Sequence, residues 1–245
     1  MLISRRLLLF IYLMLLVLAA VIFDNLISFR VNAALEIAER NLTTVQMSIS
    51  GASTNAANHL RILQHVAQEN FSEIHSTAPH PLFSALAENL DKKSYSLQAI
   101  PPMIKKEDSS YLVGGGTIPD LSSQKATEID LALRLNPLFK DIKQQVPSAT
   151  WIYYYSANHF INMYPYEPQA LLWSDDWMTH PLFTETKPAK NPQRSLRWHE
   201  AYVDEAGKGL MTSLVAPVFD KNDRFRARSI SQFVGYDIIG KKLEK

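Results

Sequence analysis

Cysteine is absent from all 245 residues, which excludes disulfide scaffolds, thiolate nucleophiles and cysteine-ligated metals together. An excess of charge of either sign is missing too. Twenty-five basic side chains against 24 acidic ones leave a formal charge of +1, so the electrostatic footprint of a nucleic-acid partner is lacking and none is expected. The run Gly114-Gly115-Gly116 continues into Thr117-Ile118-Pro119, without the Lys and hydroxyl of a phosphate loop, and reads as a turn. There is no HExxH, no GxSxG and no EF-hand spacing, and His159, His180 and His199 are not spaced as metal ligands. No cofactor, no metal and no catalytic residue is therefore expected.

A long hydrophobic run occurs once. From Leu7 to Phe23 the chain is uncharged and apolar, which as a helix covers roughly 26 Å, close to a hydrocarbon core. Arg5 and Arg6 precede it and Asp24 follows, so the positive-inside bias predicts a cytoplasmic N-terminus (1–6), a membrane helix (7–23) and the remainder on the extracytoplasmic side. A signal peptide cleaved near Val31-Asn32-Ala33 is the alternative. With no second such run, the expected topology is single-pass.

The hydrophobic content of 47% suffices for a packed core. Leu35, Ala38, Leu42, Val45 and Ile49 recur at helical spacing and Leu60, Leu63 and Val66 resume it, predicting a stalk helix over 26–70, bent near Gly51 and suited to pairing with a second copy. Pro79 and Pro81 start a predicted short helix through Leu90, Tyr111–Val113 falls in a loop-rich region, and Thr127–Val146 reads as a helix broken at a capping Asn136 before Pro137. Trp151–Tyr155 and Phe160–Tyr164 form a predicted hairpin across Ser156–His159, with one aromatic face. Ser195–Tyr202 and Leu210–Phe219 are two further predicted strands, joined by the turn Asp204–Gly209. The fold class is thus α+β, with a helix leading into a small antiparallel sheet over 71–226.

Three blocks, WIYYYSANHFINMYP (Trp151–Pro165), WSDDW (Trp173–Trp177) and AYVDEAGKGLMTSLVAPVFD (Ala201–Asp220), resemble the double-Cache, PAS-like sensor domains that precede diguanylate cyclases, histidine kinases and chemoreceptors. The resemblance implies an extracytoplasmic small-molecule sensor whose ligand pocket lies between the sheet and its covering loops. Members that bind amino acids carry an Arg two residues before a Trp and a later Tyr-x-Asp. Tyr202 and Asp204 match the second element and would accept a ligand ammonium, whereas Asp175 stands where the Arg would be, so an amine fits as well as an amino acid. Tyr153, Tyr155, Asn162, Tyr164, Trp173 and Trp177 complete the expected ligand set; core filling, with Asp204 capping its turn, is the competing expectation.

In that family a further strand follows the Ala-Pro-Val-Phe-Asp segment. Here residues 227–245 depart from its pattern and read as an aberrant tail from a shifted frame near codon 226, implying a lost output domain, with a diguanylate cyclase as the expected parent. A stand-alone interaction module partnering another receptor and a periplasmic hydrolase are the other functional readings.

Overall fold

A computed structural model describes residues 5–73, 78–204, 206–219 and 225–234, with side chains for all but 71–73 and 225–234 of these. Helix α1 (Arg5–Glu73) continues through Gly51 without a break. Two compact units divide after Ser53, so the last part of the expected stalk belongs with the sheet-bearing unit. In the first unit every side chain from Leu7 to Phe23 is exposed. Among the described residues this is the one helix long and apolar enough to cross a membrane.

In the second unit, α1 turns its Ala56, Leu60, Leu63 and Ala67 stripe into the core, where all four are at most 2% exposed. Steps of four, three and four residues keep such positions on one face of a helix. Helices α2 (Gln124–Arg134) and α3 (Asn136–Gln145) share this layer. Ser123 caps α2 by accepting the Ala126 N–H at 3.1 Å, while Asn136 sits in the first turn of α3 instead of capping it.

The sheet is antiparallel throughout. Its strands are β1 (Leu86–Asn89), β2 (Ser94–Leu97), β3 (Tyr111–Gly115), β4 (Ala149–Ser156), β5 (Phe160–Tyr164), β6 (Arg197–Trp198), β7 (Tyr202–Val203), β8 (Leu210–Phe219) and β9 (Phe225–Val234). Their order is β1-β2-β3-β5-β4-β9-β8-β6, with β7 also on β8. Residues 227–234, expected as an aberrant tail, thus have their backbone in an inner strand between β4 and β8, and residues 235–245 lie outside the described residues.

Two other expectations are corrected. The predicted helix over 79–90 is a single tight turn, Phe83–Ala85, leading into β1. Leu82, Phe83 and Leu86 have helical spacing and are buried, but four ladder pairs with β2 take the chain from Leu86 onwards. The loop expected around Tyr111–Val113 is β3, buried on both faces between β2 and β5. Its glycines serve close packing: a Cβ on Gly114 would strike the Tyr95 ring, and one on Gly115 would come within 2.5 Å of Trp173 Nε1.

Candidate functional site

Two residues of register decide what faces the site. The β4–β5 hairpin closes through three residues, Ala157-Asn158-His159, with His159 at φ 60°, a left-handed position common in such turns. Ser156 therefore pairs Phe160 and Tyr154 pairs Asn162. Trp151, Tyr153 and Tyr155 stand with Ile161 and Met163 on the face away from the helices, whereas Phe160, Asn162 and Tyr164 point into the helix layer. A four-residue loop, which the predicted strand limits imply, would have put all six aromatic and amide positions on one face.

The second shift lies between β6 and β7. Trp198 pairs Leu214 but Tyr202 pairs Met211, one residue out of step. The predicted single strand Ser195–Tyr202 is split there. This bulge turns Tyr202 to the face of Met211 and Val215, opposite to that of Leu214.

Over that outer face the chain lays residues 166–196, including the turn Asp175–Met178 and the short helix α4 (Pro181–Thr184). Phe183 of α4 is buried against Tyr155, ring centroids 5.0 Å apart. Beneath this cover is a cavity of about 590 Å³. Trp151, Tyr153, Tyr155, Ile161 and Met163 form its floor, Trp173, Trp177 and His180 its roof, and Tyr202 and Asp204 one wall. Trp173 and Trp177 meet at 6.3 Å and 45°. Asp204 is the only Asp, Glu, Lys or Arg among the described lining residues.

Asp204 also holds its turn, its Oδ2 accepting the Lys208 N–H at 3.0 Å and its carbonyl the Gly207 N–H at 3.0 Å. Capping and lining the cavity are compatible, because a carboxylate has about four acceptor sites and the cap uses one. The Tyr202 hydroxyl lies 2.7 Å from Ser213 Oγ. Burial pushes this phenol up to about 12, the Asp204 charge adding to the rise and the Ser213 hydrogen bond opposing it. Lys208 reaches back so that its ammonium sits 5.1 Å from the Trp151 ring centroid and 2.8 Å from Glu167 Oε2.

Six of the eight expected ligand residues thus border one cavity: Tyr153, Tyr155, Trp173, Trp177, Tyr202 and Asp204. Asn162 and Tyr164 do not. Asn162 is fully buried, donates to the Ala132 carbonyl at 2.7 Å and accepts from Ser110, while Tyr164 donates to the Glu107 carbonyl at 2.8 Å. Trp151, Ile161, Met163 and His180 were not among the expected residues. Strand alternation from Tyr153 points to Trp151; the other three depend on the hairpin register and on the path of the covering segment.

No group of three or more His, Cys, Asp or Glu side chains able to hold a metal occurs among the described residues. The chain matches no protein-family model and no curated protein.

Proposed function

We propose that this chain is a membrane-tethered, extracytoplasmic binding module of the Cache-like kind, taking a small organic cation, an amine or an amino-acid-like molecule, as the input of a signalling system. The observation that carries this reading is the aromatic cavity bordered by one carboxylate, Asp204, among the described residues. Ring faces of Trp151, Tyr153, Tyr155, Trp173, Trp177 and Tyr202 surround a space bordered by Asp204. A cation against such faces gains about 0.5–1 kcal/mol per ring when exposed and about 2 when desolvated, and a carboxylate supplies the counter-charge. The volume falls within the range of roughly 300–1,000 Å³ usual for small-molecule pockets.

The exposed apolar run of α1 supports the tether, with the N-terminus on the cytoplasmic side in this reading. Exposed Leu35, Leu42, Val45 and Ile49 on the same helix would pair with a second copy.

The test is a fluorescence titration of the full chain in lipid nanodiscs, since three tryptophans border the cavity. Choline and putrescine should shift tryptophan emission saturably, and 3,3-dimethylbutan-1-ol, the neutral counterpart of choline, should bind at least about tenfold more weakly, a difference of 1.4 kcal/mol. Asp204→Asn should remove most of that preference. Equal binding of the neutral alcohol, or no saturable response to any cation, would refute the reading.

A further inference from the structure

The outer face of the sheet does not end at the aromatic cavity. A second cleft of about 260 Å³ opens over β2 and β3, and Gln169, Leu172 and Trp173 form a wall common to both spaces. Its chemistry differs. Where the first space is walled by rings and a carboxylate, this one is bordered by Ser94 and Ser96 of β2, the amides of Asn89, Gln98 and Gln169, and the Tyr111 ring. Lys92 is the only charged side chain there among the described residues.

Ser94 and Ser96 are two residues apart on one strand, so both hydroxyls leave the same face. The two residues are 7% and 8% exposed, neither hydroxyl makes a hydrogen bond within the protein among the described residues, and both keep contact with the solvent of the cleft. Each hydroxyl therefore holds its donor and its acceptor open to whatever enters the cleft. A pair of them lining a cleft is a binding surface awaiting a partner that both donates and accepts. The flanking amides have the same dual character, which an anion, accepting only, would leave half used. The Trp173 indole and the Tyr111 ring add apolar faces.

We infer that this cleft is a site for a neutral, polyhydroxylated ring, a monosaccharide-sized sugar, held by Ser94, Ser96, Gln98 and Gln169 with an apolar sugar face on Trp173. At about 260 Å³ the cleft is smaller than the roughly 300 Å³ at which ligand pockets usually begin, which suits one ring and not a chain. The two sites share the wall of Gln169, Leu172 and Trp173, but the sugar's hydroxyl contacts, Ser94, Ser96 and Gln98, do not border the cation cavity, so the two proposals can be tested apart.

Isothermal titration calorimetry of the full chain in nanodiscs with glucose, galactose and N-acetylglucosamine tests it, with acetate and inorganic phosphate as the anion arm. At least one sugar should bind saturably with a Kd of about a millimolar or below. The double variant Ser94→Ala/Ser96→Ala gives up no internal hydrogen bond, so it should melt like the parent yet bind that sugar about tenfold or more weakly, two neutral hydrogen bonds being lost. Gln98→Ala, at an exposed position, should weaken binding in the same direction and serves if the double variant does not fold. Asp204→Asn should leave sugar affinity unchanged. Saturation by an anion and by no sugar, saturation by nothing, or undiminished sugar binding in the folded variants would each overturn the inference.

Discussion

Asn162 shows how one side chain can carry the chemistry of a ligand contact and belong elsewhere. With Asn136 and Ser110 it forms a buried polar cluster that joins β5, α3 and the start of β3, and it also bonds the last turn of α2 through Ala132. The Asn136 amide nitrogen has no partner among the described residues, so within them the cluster is already one bond short. Asn162→Ala should therefore destabilise the folded unit by about 1–3 kcal/mol, the cost of stranding buried polar groups, while leaving cation affinity unchanged. Chemical denaturation beside the nanodisc titration separates the two effects; a loss of affinity at unchanged stability would return Asn162 to the site. Asp204 is the opposite case. Its residue type and place before a glycine turn were readable, and the carboxylate both caps that turn and borders the cavity in which the expected ligand contact would be made.

At the scale of elements, alternation within a strand was legible and registration between strands was not. Trp151, Tyr153 and Tyr155 were expected on one face and lie on one face; whether Asn162 joins them depends on three loop residues versus four, a distinction strand propensity does not carry. The same limit applies to Tyr202, whose direction follows from one bulged residue between β6 and β7. Apolar spacing also misled where strands are covered on both faces, as in β1 and β3, since alternation then vanishes. The hairpin turn is moreover tied down: Glu128 of α2, 2% exposed, accepts from the Tyr154 hydroxyl at 3.0 Å and from Ser156 and Asn158. One glycine inserted after Asn158 should thus move Phe160, Asn162 and Tyr164 toward the cavity face and abolish the cooperative melt followed by circular dichroism. The same insertion between Leu121 and Ser122, both exposed in a loop, should leave the melt in place. Survival of the melt and of cation binding in the first variant would show that the register is not what builds the site.

For the whole molecule, the α+β class and the apolar N-terminal helix were accessible because they rest on periodicity and length, while the strand order was not, because it rests on residues far apart in the chain. The sheet has a single bridge at its middle. Among the described strands β4 and β8 are joined through β9 alone, although the aromatic cavity takes its floor from β4 and β5 and its acidic wall from the segment carried by β8. A chain ended after Phe219 should retain α1 and lose cation binding altogether, which the same nanodisc titration would detect; undiminished binding would mean the cavity forms without β9.

That bridge has a meaning in time as well as in space. On the ribosome the strands appear in the order of the chain, so β1 to β5 and then β6 to β8 emerge as two half-sheets with no ladder between them, and residues 225–234 arrive last among the described strands. Until then the aromatic floor and the carboxylate that faces it belong to separate, unfinished surfaces. A closed cavity is consequently a certificate of translation through Val234, and a nascent chain interrupted earlier carries its floor and its acidic wall on unjoined surfaces.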